Sequence, residues 1–157
     1  MTNELLAGRL SQIGRAVIPG FYGAREDGTV VTFSRGGSDV SGSLVALAVG
    51  ADLYENWTDV SGFLIADPRI VKNPKAIETI TYKELRELSY RGASVLHEDA
   101  IFPVRKAGIP INDSNTNAPQ DKGTLTVEGT CRQPRYMLTG IAGTYGISSI
   151  PVQSDMM

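Results

Sequence analysis

The chain has 157 residues, 41% hydrophobic and 20% charged, with a formal net charge of -2 and a pI near 5.4. That length supports one domain with a real core, or one domain and a piece of another, and the composition excludes intrinsic disorder. The charge provides no basic field for nucleic acid, and a lone Cys131 beside a single His excludes an internal disulfide and a His/Cys-built zinc site.

In chain order, Leu5, Leu6, Leu10 and Ile13 recur at helical spacing and predict a first helix running from a Thr2 cap to Gly14. The apolar runs at 16–18 and 30–33 predict two strands, separated by the turn-rich Arg25-Glu26-Asp27-Gly28. From 40 to 49, Val40, Leu44, Leu47 and Ala48 fall on one helical face, with Gly50 placed to terminate it. A strand at 53–57 follows, giving the β-loop-α-β order of a sheet with helical crossovers. Thr81 and Glu84 have the spacing of a capping box, and Leu85 and Leu88 supply the stripe of a helix running to about Tyr90. A helix at 98–106, a strand at 109–111, a polar loop at 112–122 and a strand at 124–127 complete this part. Residues 128–134 read as a linker, before β-prone runs at 136–142 and 147–152. No apolar run reaches the roughly 18 residues of a membrane span, and no signal-like start is present, so a reducing cytoplasm is expected.

The chemistry gathers where Ser34, Arg35, Gly36, Gly37, Ser38 and Asp39 join a strand-like run to a helix. Two glycines let a ligand approach the backbone, the helix end offers free N–H groups to an anion, and Arg35 carries a planar fork suited to carboxylate or phosphate. Ser38 and Asp39 are equally good N-cap residues, so a loop that merely starts a helix explains this string as well. Thr58 and Asp59 follow a strand, where open α/β sheets bind ligands, although a turn capping the strand exit uses the same pair. Asp67-Pro68-Arg69 has the same two readings.

The order and spacing of Pro19-Gly20-Phe21, Arg35-Gly36-Gly37-Ser38-Asp39, Thr58-Asp59-Val60, Ala66-Asp67-Pro68-Arg69, Gly92-Ala93-Ser94-Val95-Leu96-His97 and Gly123-Thr124-Leu125 resemble the aspartokinases, within the amino-acid kinase superfamily. The resemblance covers about residues 17–127. It implies a three-layer α/β/α sandwich of the amino-acid kinase type, and ATP-dependent phosphorylation of the side-chain carboxylate of L-aspartate, with Mg accompanying ATP. Carried over, it makes Arg35, Gly36, Gly37, Ser38 and Asp39 the aspartate pocket, with Asp39 catalytic, and Thr58, Asp59, Leu64, Arg69, Ser94 and Val95 the nucleotide site, with no metal ligand assigned. Departures from the family pattern are Ser94 in place of a lysine, Leu64 in place of a common tyrosine, and Glu98 in place of a proline; His97 is expected to be structural.

The lysine-bearing phosphate loop with which such kinases begin has no match here. The resemblance therefore implies the carboxyl-terminal part of a kinase domain over 1–128, a linker at 129–135, and the start of an ACT regulatory domain at 136–157. Such a piece is expected to be a homo-oligomer and inactive alone. The other readings are a non-catalytic nucleotide-binding module and an oligomer scaffold.

Overall fold

The computed structural model describes residues 2–34, 36–90, 98–129 and 138–143. Among these the elements run α1 (Thr2–Leu10), β1 (Tyr22–Ala24), β2 (Val30–Thr32), α2 (Gly37–Val49), β3 (Tyr54–Thr58), β4 (Thr79–Thr81), α3 (Tyr82–Tyr90), α4 (Glu98–Lys106), β5 (Ile111–Asn115) and β6 (Thr124–Val127). β1 and β2 form an antiparallel hairpin, and the other four strands make one mixed sheet in the order β3-β5-β6-β4. In that sheet β3 runs parallel to β5 and β4 parallel to β6, while β5 and β6 are antiparallel. The expected α/β class is observed.

Several boundaries differ from the sequence reading. Helix α1 ends at Leu10 rather than Gly14, because the Ser11 hydroxyl donates to the Gly8 carbonyl and Ile13 N–H bonds to the Leu10 carbonyl, closing the last turn. The run at 16–18 is not a strand: Val17 is 99% exposed, and the ladder forms instead between Tyr22–Ala24 and Val30–Thr32. Apolarity nominates a strand, but a strand exists only where a partner offers its backbone. The strand expected at 109–111 is displaced into the polar stretch, with Asn112, Asp113, Ser114 and Asn115 all in β5. β5 lies between β3 and β6, so its backbone groups are used on both sides whatever its side chains prefer. Of the run at 136–142, the described part carries no strand, and Ile141 N–H donates to the Ile65 carbonyl. The run at 147–152 and Cys131 lie outside the described residues.

Other expectations are met closely. Gly50 ends α2 at φ 61°, with backbone bonds back to Ala46 and Leu47. The capping box at α3 is complete, Thr81 N–H donating to Glu84 Oε2 at 2.9 Å while Glu84 N–H donates to Thr81 Oγ1 at 3.2 Å. Helix α4 covers Glu98–Lys106.

The core gathers Ala46, Ile77, Ile80, Tyr82, Leu85, Ile101, Val104, Ile109 and Ile111, from α2, α3, α4 and one face of the sheet. Register shows how that face is built. Asn56 pairs with Asp113, Asp113 with Thr124, and Ile111 with Thr126, so these residues share one face with Tyr54 and Ile80. The opposite face presents Glu55, Thr79 and Trp57, the last 47% exposed. On α2 the residues turned to the core are Ser43 and Ala46, and Asp39 stands one turn before Ser43 on the same stripe. Helix and sheet meet closely here, since a Cβ on Gly42 would lie 2.5 Å from the Tyr54 hydroxyl oxygen.

Candidate functional site

Helix α2 opens directly after Gly36, whose φ of 78° is the left-handed conformation that glycine adopts without strain. No side chain caps this helix end. Ser38 and Asp39 lie inside its first turn, so neither is consumed as the N-cap that the competing reading assigned to them. Gly37 is buried, and a Cβ there would meet Phe33 Cβ at 2.4 Å, so its small size serves packing against the hairpin. The same hairpin is tied to α2 through Ser41, whose hydroxyl accepts Phe21 N–H at 3.2 Å and donates to the Gly37 carbonyl at 2.9 Å. Arg35 lies outside the described residues.

Asp39 is half-buried, and that burial raises its carboxyl above the ordinary range. Two further acidic groups share its surroundings. Burial pushes the Tyr54 hydroxyl up to about 12, reinforced by the charges of Asp39 and Asp113. Burial also pushes Asp113 up to about 6, with Asn56 opposing through its hydrogen bond and Asp39 adding to the rise. Tyr54, Asn56 and Asp113 belong to no sequence motif. Asp113 fell in what read as a loop, where a carboxylate carries no signal, and Asn56 has only the period-two alternation of its strand to mark it as inward-facing.

At the carboxyl end of β3, the Thr58 hydroxyl accepts Val60 N–H at 3.2 Å, which is the turn that the competing reading anticipated. Asp59 is exposed beside it. This turn is bound to the segment after β5: Thr116 N–H donates to the Thr58 carbonyl, Asn115 Nδ2 donates to Ser61 Oγ at 2.9 Å, and Ser61 Oγ donates to Asp121 Oδ2 at 2.6 Å. Leu64 is exposed and forms an isolated bridge with Ala76. Arg69 is held by Asp67, with Nη2 at 2.6 Å from Oδ2 and Nε at 3.0 Å from both oxygens, on a side chain 87% exposed. The hydrogen bonds from Arg69 hold the Asp67 carboxyl down at about 2. Ser94, Val95 and His97 lie outside the described residues.

Ser38 and Asp39 open α2, and Thr58 and Asp59 stand at the exit of β3, the strand that follows it in the chain. Because α2 passes through the short turn 50–53 straight into β3, its amino end, with Ser38 and Asp39, returns toward the strand end that carries Thr58 and Asp59. An arrangement with free helix N–H groups and a half-buried carboxylate at a strand's exit can hold a carboxylate or phosphate next to a cationic amine. Leu64 and Arg69 stand further along the loop that follows.

Residues 3–112 match the amino acid kinase family. The chain is 45% identical over 144 residues to aspartokinase 3 of Bacillus subtilis, covering 92% of this chain and 32% of that protein. Among solved structures it resembles the aspartate kinase of Clostridium acetobutylicum, with a TM-score of 0.81 and 61% identity over 89% of this chain and 33% of that one. It also resembles Escherichia coli aspartokinase III in complex with aspartate and ADP, with a TM-score of 0.69 and 36% identity over 78% of this chain and 27% of that one. The chain spans about a third of the length of the curated relatives it matches.

Proposed function

The chain belongs to the amino acid kinase family and has its α/β fold, and from that premise we propose that it carries the acceptor and nucleotide sites of an aspartate kinase. The reaction is transfer of the γ-phosphoryl group of ATP to the side-chain carboxylate of L-aspartate. The reading rests on the placement of Ser38 and Asp39 at the amino end of α2 and of Thr58 and Asp59 at the exit of β3, the strand into which α2 leads. The aspartate and ADP named for the E. coli relative support the same pair of ligands.

In this reading Arg35 grips the α-carboxylate of aspartate with its guanidinium fork, and Gly36, Gly37 and Ser38 supply backbone N–H groups and close approach. Asp39 faces the cationic amine of the acceptor, or a lysine that neutralises the transferred group. Thr58, Asp59, Leu64, Arg69, Ser94 and Val95 form the nucleotide wall, Arg69 exchanging Asp67 for phosphate. Phosphoryl transfer then rests on positioning and charge stabilisation. Among the described residues no three His, Cys, Asp or Glu side chains come together to hold a metal; magnesium belongs with the nucleotide phosphates in this reading, and no side chain is assigned to it. Among the described residues no helix is long and apolar enough to cross a membrane, and the lone cysteine suits a reducing cytoplasm.

Calorimetric titration of this chain is the test. Saturable Mg-ATP binding, weakened in Asp59→Ala and Arg69→Ala, is expected together with saturable aspartate binding that is lost in Arg35→Ala. Nucleotide binding without aspartate binding would replace a kinase site with a plain nucleotide-binding module, and binding of neither would leave a scaffold. Self-association belongs to the same reading, since Phe21, Tyr22, Val30 and Phe33 expose apolar surface on the hairpin. Light scattering is expected to give a dimeric mass or larger, and a monomer at micromolar concentration contradicts it.

A further inference from the structure

A carboxylate that no sequence motif marks lies on the sheet face that helix α2 covers. Asp113 is 2% exposed, and its Oδ1 accepts Asn56 Nδ2–H at 3.0 Å from the paired position of the parallel neighbour β3. Its Oδ2 is buried and has no hydrogen-bond partner. The hydroxyl at the paired position across the ladder is already committed, because Thr124 Oγ1 donates to the Ile77 carbonyl and accepts Phe63 N–H. A core carboxylate left half-satisfied, when apolar side chains would fill the same row, is costly and calls for an explanation.

Helix α2 supplies one. Asp39 lies on the stripe of α2 that carries buried Ser43 and Ala46, and that stripe packs on the sheet face holding Tyr54, Asn56 and Asp113. We propose that Asp113, held by Asn56, is a further positioning residue of the acceptor site, a second carboxyl coupled to Asp39 that adjusts the negative charge offered to the amine of the amino-acid acceptor. The coupling rests on this placement of the Asp39 stripe on the sheet face of Asp113, while the role toward the acceptor rests on the function proposed above.

Asp39 on α2 raises Asp113, and the charge of Asp113 in turn raises Tyr54 on β3 and Tyr82 at the start of α3, the last also influenced by Glu128 and Arg105. Two carboxyls in a shared, poorly hydrated space resist a second ionisation. Asp39, being more exposed, ionises first, and its charge holds the proton on Asp113. An ammonium group arriving at Asp39 neutralises that charge and releases the proton from Asp113. By linkage, the acceptor therefore binds more tightly as pH rises through the Asp113 transition.

Carboxyl carbon NMR of the chain, with Asp113 followed in the parent and in Asp39→Asn, reads the coupling directly. The Asp113 midpoint is expected to fall by about half a unit or more once the Asp39 charge is gone. An unchanged midpoint overturns the proposal. The acceptor role is read from aspartate titrations between pH 5 and pH 7.5, where affinity is expected to rise about threefold, the equivalent of that half unit. In Asp113→Asn the rise should vanish, and a rise that persists assigns the pH dependence elsewhere and refutes the positioning role. A purely structural Asp113 would change stability but not the slope. Absence of aspartate binding at every pH removes the acceptor role here and above, and the carboxyl titration then decides the coupled pair by itself.

Discussion

Gly123→Ala is expected to destabilise the chain by about 3–4 kcal/mol, a large fraction of the roughly 5–15 kcal/mol that holds a domain folded. Gly123 holds φ at 69°, and a Cβ there would lie 2.0 Å from the Asp113 carbonyl oxygen and 2.9 Å from its carbon. Both atoms are backbone of the central strand β5, so relief requires moving β5 away from the segment entering β6. Gly28→Ala is the matched control: its φ is 83°, yet nothing lies within 4 Å of the added methyl, so only the left-handed strain of about 1 kcal/mol remains. Urea or thermal unfolding of both variants separates the two causes. Equal losses would show that conformation, and not the contact with β5, explains this glycine.

The second large effect is a pH dependence of stability centred on Asp113. Its folded carboxyl lies at about 6, above the unfolded 3.8, with burial as the main cause. A carboxyl raised on folding contributes stability that is complete below about pH 4 and is lost as pH climbs through about 6. A rise from 3.8 to about 6 corresponds to a loss on the order of 3 kcal/mol between those limits. Asp39, also raised, acts in the same direction, whereas Asp27, Asp67 and Glu84 are lowered and oppose it. Unfolding curves recorded from pH 4 to pH 8 for the parent and Asp113→Asn, and then subtracted, isolate the one group. The difference should grow with pH and flatten above about 7. A difference independent of pH would mean that Asp113 is already ionised in the folded chain, satisfied by a partner.

How much of this could be read beforehand varied with the kind of residue. The capping box at Thr81 and Glu84, the Gly50 terminus of α2 and the span of α4 were all legible, because each is decided by contacts within a few residues along the chain. The run at 16–18 looked like a strand and is not one, while the polar stretch through Asp113 and Asn115 looked like a loop and forms the central strand. Both errors have one source: a strand is completed by a partner distant in sequence, and composition cannot say whether that partner arrives.

The candidate site divides in the same manner. The strings around Asp39 and Thr58 announce themselves by residue type and spacing, and the resemblance they carry agrees with the family to which the chain belongs. The ion pair that occupies Arg69 was not foreseen, though its partner stands only two residues away. Asn56 and Asp113 are 57 residues apart and meet only through the parallel register of β3 and β5. By itself the sequence determined the α/β class, the Gly50 end of α2, the capping box of α3, the span of α4 and the motif residues, all properties of short stretches of chain. Only the tertiary structure decided that a strand of polar residues is buried at the centre of the sheet and that its carboxylate lies on the face covered by the helix of Asp39. Burial and electrostatic coupling depend on distance in space, which the order of residues does not contain.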